Sequence, residues 1–89
     1  MKVKLELFGA SRDFSNNDYL ELEVQEKASV NDLKNEIIKY LNENFDGNEG
    51  FIKVVKSSAF CSENNEIISD NYKITKDQKI GIIPPIGGG

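Results

Sequence analysis

The last eight residues of the chain, IIPPIGGG, carry the groups whose types and spacing could take part in chemistry. Pro84 and Pro85 lack the backbone N–H that a β-ladder needs, so the strand before them must end there. Gly88 and Gly89 have no Cβ, so their backbone can pass through a narrow channel and expose the terminal carbonyl to a nucleophile. Fully extended, residues 84–89 span at most about 20 Å. A frayed terminus would explain the glycines but not the prolines, so the ending leaves open whether the tail is a disordered end or an extended segment with a function.

Other kinds of chemistry are excluded by residues that the sequence lacks. The 89 residues contain no histidine and one cysteine. This composition rules out a Ser-His-Asp triad, a Cys-His pair, a zinc site with histidine and a thiolate cage. No phosphate-binding loop or dinucleotide fingerprint is present either. We therefore expect no bound cofactor and no metal, and a protein that is not an enzyme alone but serves as a substrate.

The charge pattern bears on partners and location. Fifteen acidic and eleven basic residues give a net charge of −4, and the lysines are scattered, so no nucleic-acid partner is expected. The opening MKVKLELFG alternates charged and apolar residues, which predicts neither a signal peptide nor a membrane span. A single cysteine excludes an internal disulfide, and the cytoplasm is the expected compartment.

Two strands are predicted at the start of the chain. The stretch KVKLELF alternates with period two, which places Val3, Leu5 and Leu7 on one face and leaves Phe8 on the other with charged side chains. After the turn-rich link SRDFSNND, the stretch YLELEV alternates again. The two strands are expected to form a hairpin with a long loop.

One amphipathic helix is predicted next, in ASVNDLKNEIIKYLNENFDG. Its apolar residues fall on one stripe: Val30, Leu33, Ile37 and Leu41. Ser29 is the predicted N-cap, with Asp32 completing the capping pair, and Gly47 stands at the predicted C-cap.

The remaining elements are predicted to be strands. FIKVVKSSAFC is interpreted as one strand, EII as a short one and KIGII as the last, with SENN as a turn and SDNYKITKDQ as a connection. Cys61, in phase with Val55 and Ala59, is expected to be a small buried apolar residue, with a sulfur-relay role as the alternative. The order indicates an α+β fold, a mixed sheet of about five strands with one main helix on one face.

This arrangement resembles the β-grasp (ubiquitin-like) fold, and the ending resembles that of the MoaD/ThiS family of ubiquitin-like sulfur carriers. The match is closest to MoaD, the small subunit of molybdopterin synthase: Pro84, Pro85, Gly88 and Gly89 fall on the family's terminal motif. LFG, VNDLKNEI, AFC and EII follow in the family's order. The resemblance implies a β-grasp domain over residues 1–83, with its first and last strands parallel in mid-sheet, and an extended tail over residues 84–89.

The resemblance also implies a reaction and its partners. An adenylating enzyme of the ubiquitin-activating type (MoeB-like) would consume ATP to convert the Gly89 carboxylate to an acyl-adenylate. A sulfur donor, left open here, would then displace AMP to give a thiocarboxylate. The large subunit of molybdopterin synthase (MoaE-like) would use this sulfur on the pterin precursor of the molybdenum cofactor. Gly88 would be the channel residue with Gly87 in support, and Pro84 and Pro85 would stiffen the tail.

The family's apolar recognition surface carries over to three residues here: Phe8, Ile67 and Ile83, which we call the docking patch. Phe8 stands where a polar residue is expected, so it is either an exposed contact residue or turned inward by a bulge. An apolar patch of this kind suits transient binding to two partners.

Other functions stay open from the sequence alone. A ThiS-like carrier of the thiamine pathway and a ubiquitin-related protein modifier share the fold and the terminal glycines, and a β-grasp adaptor that only binds partners is a third class. The proline pair and the length favour the molybdopterin synthase subunit over ThiS. The sequence leaves open the oligomeric state, conjugation to lysines and the register of the strands after the helix.

Overall fold

The first and last strands lie side by side and parallel at the centre of the sheet in the computed structural model, which describes residues 1–85. The five-stranded sheet consists of β1 (Lys2–Leu7), β2 (Tyr19–Glu23), β4 (Ala59–Cys61), β5 (Ile67–Ile68) and β7 (Gln78–Ile83). Their order across the sheet is β2-β1-β7-β4-β5. A separate two-stranded ladder joins β3 (Ala28–Ser29) to β6 (Lys73–Ile74). This is the predicted β-grasp arrangement.

The central strands bury one face, as their period-two alternation predicts. Val3, Leu5 and Leu7 of β1 are buried, and so are Ile80 and Ile82 of β7. The parallel register sets Leu5 opposite Ile80 and Leu7 opposite Ile82, so these side chains meet on the same face. This face forms the core of the domain together with the helices.

The predicted helix is α1 (Val30–Asn44), and its start is held by a capping box. The Ser29 hydroxyl accepts a hydrogen bond from the Asp32 backbone N–H at 3.1 Å, and the Asp32 carboxylate accepts one from the Ser29 backbone N–H at 2.9 Å. These bonds, the backbone one first, lower the pKa of Asp32. The four residues of the predicted stripe are all buried. The helix ends earlier than predicted, with Phe45 at the C-cap, and Asp46 and Gly47 follow with positive φ.

The prediction of one long strand over FIKVVKSSAFC is wrong in its first part, where the chain forms a second helix, α2 (Glu49–Ser57). The side chain of Asn48 accepts a hydrogen bond from the Phe51 backbone N–H at 3.1 Å and caps this helix. The run of β-branched residues favours a strand. Burial outweighs this preference and favours a helix. Val55 lies fully in the core while Lys53 is exposed, which is the pattern of an amphipathic helix. Only the last three residues, β4, are a strand.

The predicted turn-rich link also contains regular structure, a 3₁₀ helix over Gly9–Phe14. Phe14 at its end is fully buried. The Phe14 ring lies 5.2 Å from that of Phe51 between centroids, and the Tyr40 hydroxyl donates a hydrogen bond to the Phe14 carbonyl at 2.7 Å. The segment folds because Phe14 fills the space between α1 and α2, a tertiary contact that local composition does not reveal.

The described helices are short. Within residues 1–85, no helix is both long and apolar enough to cross a membrane.

Candidate functional site

The tail leaves the sheet directly from its central strand. β7 ends at Ile83, and the next residue, Pro84, is buried while Pro85 is exposed. A missing N–H at both positions explains why the ladder stops there. The prolines also form one wall of a groove whose other walls are the 3₁₀ helix and α2; its lining residues are Ala10, Gly50, Lys53, Val54, Ser57, Pro84 and Pro85. The tail is therefore fixed in position at its first residue.

The three terminal glycines, Gly87, Gly88 and Gly89, lie outside the described residues. Their predicted roles as supporting, channel and reacting residues stay predictions.

The residues of the predicted docking patch lie on the outer face of the sheet, the face turned away from the core. Strand register brings them together: Cys61 is paired with Ile67 on one side and with Gly81 on the other. Ile83 stands two residues beyond Gly81 on the same strand. Phe8 follows the last residue of β1, and its ring lies over Gly81. The three predicted residues thus surround the Gly81–Cys61 pair.

Exposure differs within the docking patch. Ile67 is 68% exposed and Phe8 42% exposed, while Ile83 is half-buried. Phe8 is therefore not turned into the core, and no bulge is present in the β1–β7 ladder, whose register is continuous from Val3 to Leu7. Large apolar side chains on a sheet surface are typical of contact sites.

Gly81 is a residue of this site that the sequence analysis missed. A Cβ built on Gly81 would lie 2.7 Å from the Cys61 Sγ and 3.1 Å from the Phe8 Cε2. Both distances are shorter than ordinary packing allows, so the ring and the sulfur occupy the space that a side chain would need. The available signal was a glycine inside a predicted central strand, a position that marks the close approach of another group.

Cys61 is buried, as expected, but for a different reason. Val55, with which it was thought to be in phase, belongs to α2, and Ala59 is exposed. Cys61 is 7% exposed although it stands on the outer face and outside the main core cluster. Neighbouring side chains of that face must therefore cover it.

The other half of the outer face is charged. Across β1 and β2, Lys2 faces Glu23 and Lys4 faces Glu21. The Lys79 ammonium lies 3.5 Å from the Glu6 carboxylate. These exposed pairs contribute little stability. They do give the docking patch a charged border on the side of β2.

No metal centre is indicated in the described part of the chain, since residues 1–85 contain no group of three His, Cys, Asp or Glu side chains that could hold an ion. What the described residues do show is an apolar surface beside Pro84, the first residue of the tail.

The model of the ThiS family matches residues 5–89 of the chain. The chain belongs to the ThiS family. The resemblance seen in the sequence is thereby confirmed at the level of the ThiS/MoaD family, and the match covers almost the whole chain. No curated protein matches the chain in sequence.

Several solved structures share the fold of this ThiS family member. A putative molybdopterin converting factor subunit 1 from Pyrococcus furiosus is 23% identical, with 96% of this chain and 98% of that chain covered and a TM-score of 0.69. The small archaeal modifier protein 1 of H. volcanii is 14% identical, with 96% and 98% covered and a TM-score of 0.67. A complex of subunits 1 and 2 of the molybdopterin-converting factor from Helicobacter pylori is 19% identical, with both chains fully covered and a TM-score of 0.54. At these identities the likenesses establish the ubiquitin-like β-grasp fold.

Proposed function

We propose that this protein is a sulfur carrier, the small subunit of molybdopterin synthase, whose terminal Gly89 receives sulfur and delivers it to a pterin precursor. One observation carries the proposal: the Pro84–Pro85 pair continues the central strand β7 out of the sheet at the border of the docking patch. A partner that binds the patch is thereby placed beside the start of the tail. Family membership supports the same chemistry.

Activation of the terminus follows from the reactivity of a carboxylate. A Gly89 carboxylate oxygen attacks the α-phosphate of ATP, the bond to the bridging oxygen breaks, and pyrophosphate leaves. The product is an acyl-adenylate, a mixed anhydride. Sulfide, supplied by the sulfur donor, then attacks the carbonyl carbon and AMP leaves, so that a thiocarboxylate results. The protein contributes no catalytic side chain, and the adenylating enzyme (MoeB-like) consumes the ATP.

Delivery of the sulfur needs a second partner, the large subunit of molybdopterin synthase (MoaE-like). The H. pylori structure with the same fold contains subunits 1 and 2 of the molybdopterin-converting factor in complex, which supports a partner of this kind. Gly88 lets the backbone enter its active site, since it adds no side chain to the width of the tail, and Gly87 has a supporting role only.

The docking patch is the surface that both partners share. Phe8 and Ile67 are large exposed apolar residues, and Ile83 joins them to the tail. Apolar contact of modest area gives binding that can be released, which a carrier that visits two enzymes requires.

Intact mass spectrometry tests the proposal. The protein is incubated with ATP, the adenylating enzyme and a sulfur source, and its mass is compared with that of the untreated protein. Replacement of one oxygen by one sulfur, located by fragmentation at Gly89, is the expected result. An unchanged mass with an enzyme of verified activity would contradict the proposal and favour an adaptor that only binds partners.

A protein modifier is the second candidate, because the small archaeal modifier protein 1 matches nearly the whole fold. In that case the activated Gly89 would be attacked by a lysine amine and form an isopeptide bond. Tryptic peptides from cells that express the protein would then carry a remnant of its C-terminus on lysine. A ThiS-like role would instead appear as sulfur delivery to a thiazole precursor and none to a pterin.

A further inference from the structure

The ring of Phe8 lies over the backbone of Gly81, a residue without a side chain. Its Cε2 lies 3.1 Å and its Cδ2 3.8 Å from the position that a Cβ of Gly81 would occupy. The Cys61 Sγ lies 2.7 Å from the same point, so the sulfur and the ring both border the space beside Gly81. Any side chain larger than hydrogen at position 81 would have to displace one of the two.

The backbone of Phe8 is held by hydrogen bonds at both its N–H and its carbonyl. The Ser11 hydroxyl is fully buried; it accepts a hydrogen bond from the Phe8 N–H at 3.0 Å and donates one to the Phe8 carbonyl at 2.7 Å. A half-exposed aromatic residue is thus fixed at both ends, by Ser11 below and by Gly81 and Cys61 at the sheet surface.

We propose that Gly81 and Cys61 are positioning residues for partner binding: they form a flat apolar support, the Phe8 seat, that holds the ring in its docking orientation before a partner arrives. The inference rests on the proposed role of the docking patch and deepens it. Ordering one free side chain at an interface costs about 0.5–1.5 kcal/mol, which the Phe8 seat removes in advance. The affinity lost without the seat is then roughly 2- to 10-fold.

The Phe8 seat can be tested without any partner, because Cys61 is the single cysteine of the chain. The rate of Cys61 alkylation by a small thiol reagent reports whether the ring covers the sulfur. Phe8→Ala is expected to raise this rate several-fold with little change in the melting temperature, and Gly81→Ala is expected to raise it by more than its own loss of stability accounts for. Leu22→Ala, a partly buried residue at the β2 edge, is the control for destabilisation alone and should raise the rate only as far as its own loss of stability dictates.

Partner affinity is the second measurement, by titration with the adenylating enzyme and with the large synthase subunit. Gly81→Ala should weaken binding to both roughly 2- to 10-fold. The double variant Gly81→Ala/Cys61→Ala should recover part of the affinity, because removal of the sulfur relieves its 2.7 Å contact with the new methyl group. The melting temperatures of both variants are measured alongside, and a recovery of affinity no larger than the recovered stability explains would overturn the positioning role.

The outcomes separate this inference from the proposed function. Unchanged alkylation in Phe8→Ala means that the ring does not cover Cys61 and overturns the Phe8 seat. If Gly81→Ala speeds the alkylation of Cys61 but leaves the partner affinity unchanged, Gly81 is not a positioning residue. The same conclusion follows if Gly81→Ala weakens partner binding but leaves the alkylation rate of Cys61 unchanged. If Phe8→Asp binds both partners normally, the docking patch itself is wrong, whereas the alkylation rates still decide whether the seat exists. Should Gly81→Ala fail to fold, Phe8→Ala supplies the alkylation result and the double variant the affinity result.

Discussion

A Cβ atom on Gly9 would lie 3.9 Å from both Cδ and Cγ of Pro84, so the turn after β1 packs against the first proline of the tail. Gly9 has a φ of +56°, and the residue before it is Phe8 of the docking patch. One short turn therefore joins Phe8 of the docking patch to the position of Pro84, the first residue of the tail.

Substitution of Gly9 should destabilise the domain through its backbone. Gly9→Val forces a β-branched residue into the left-handed region, and we expect a loss of about 1–2 kcal/mol in the free energy of unfolding. Gly9→Asn is the control, because asparagine tolerates this conformation and should cost less. Urea denaturation measures both, and equal losses would show that the conformation at Gly9 is not the cause.

Removal of Gly89 should abolish sulfur loading and leave the fold intact. All core residues identified in the structure precede Ile83, so the melting temperature is expected to match that of the full chain. Mass spectrometry after the activation reaction gives the readout, together with a thermal melt. Normal sulfur loading of the shortened chain would refute the assignment of Gly89 as the reacting residue.

Gly88→Val should separate binding from chemistry. The variant is expected to bind both partners through the docking patch, but the added side chain blocks close approach of the backbone in a channel. Gly87→Val is the matched control, since Gly87 is predicted only to support the tail. If both variants turn over like the unmodified protein, the channel is wide enough for side chains.

Phe8→Asp should lose partner binding without loss of fold. The ring is 42% exposed, so the carboxylate can reach water in the free protein, whereas an apolar interface leaves it without a partner. We expect affinity to fall at least about tenfold, the effect of a central contact residue. Tyr19→Asp is the matched control: Tyr19 is 37% exposed on the same sheet face, but lies outside the docking patch. A collapsed melt for Phe8→Asp would mean that Phe8 is needed by the core.

The capping box of α1 gives the domain a pH dependence. The hydrogen bonds from Ser29 lower the pKa of Asp32 below its ordinary value of 3.8. A depressed pKa contributes stability above the unfolded value, and this contribution is lost as the pH falls through the folded pKa. Asp32→Ala should therefore be less stable than the unmodified protein at neutral pH, and the difference should shrink below about pH 4. Denaturation across pH 2–7 measures it, and a constant difference would contradict the assignment.

The sequence allowed some elements to be predicted because their signals are local. The alternation in β1 and the capping pair at Ser29 and Asp32 are visible in a few consecutive residues, and both are present in the structure. The helix α2 was missed because its β-branched residues favour a strand, and only packing of Phe51 and Val55 against the rest of the core reverses that preference.

The candidate site was predictable only where it depends on residue type. The exposed Phe8 followed from its place in an alternating pattern. Gly81 and Cys61 could not be assigned to it, because their contact depends on the register of two strands that are far apart in the sequence. That register is fixed by the whole sheet, so no local pattern contains it.

Parallel pairing of β1 and β7 also determines how the domain responds to force. Because the strands run in the same direction, a pull on the tail against an anchored start of β1 acts along both strands in opposite senses. The ladder from Val3–Gln78 to Leu7–Ile82 is then loaded in shear, with its hydrogen bonds sharing the tension. A pull of this kind is therefore resisted by all the hydrogen bonds of the ladder together and not by one bond at a time.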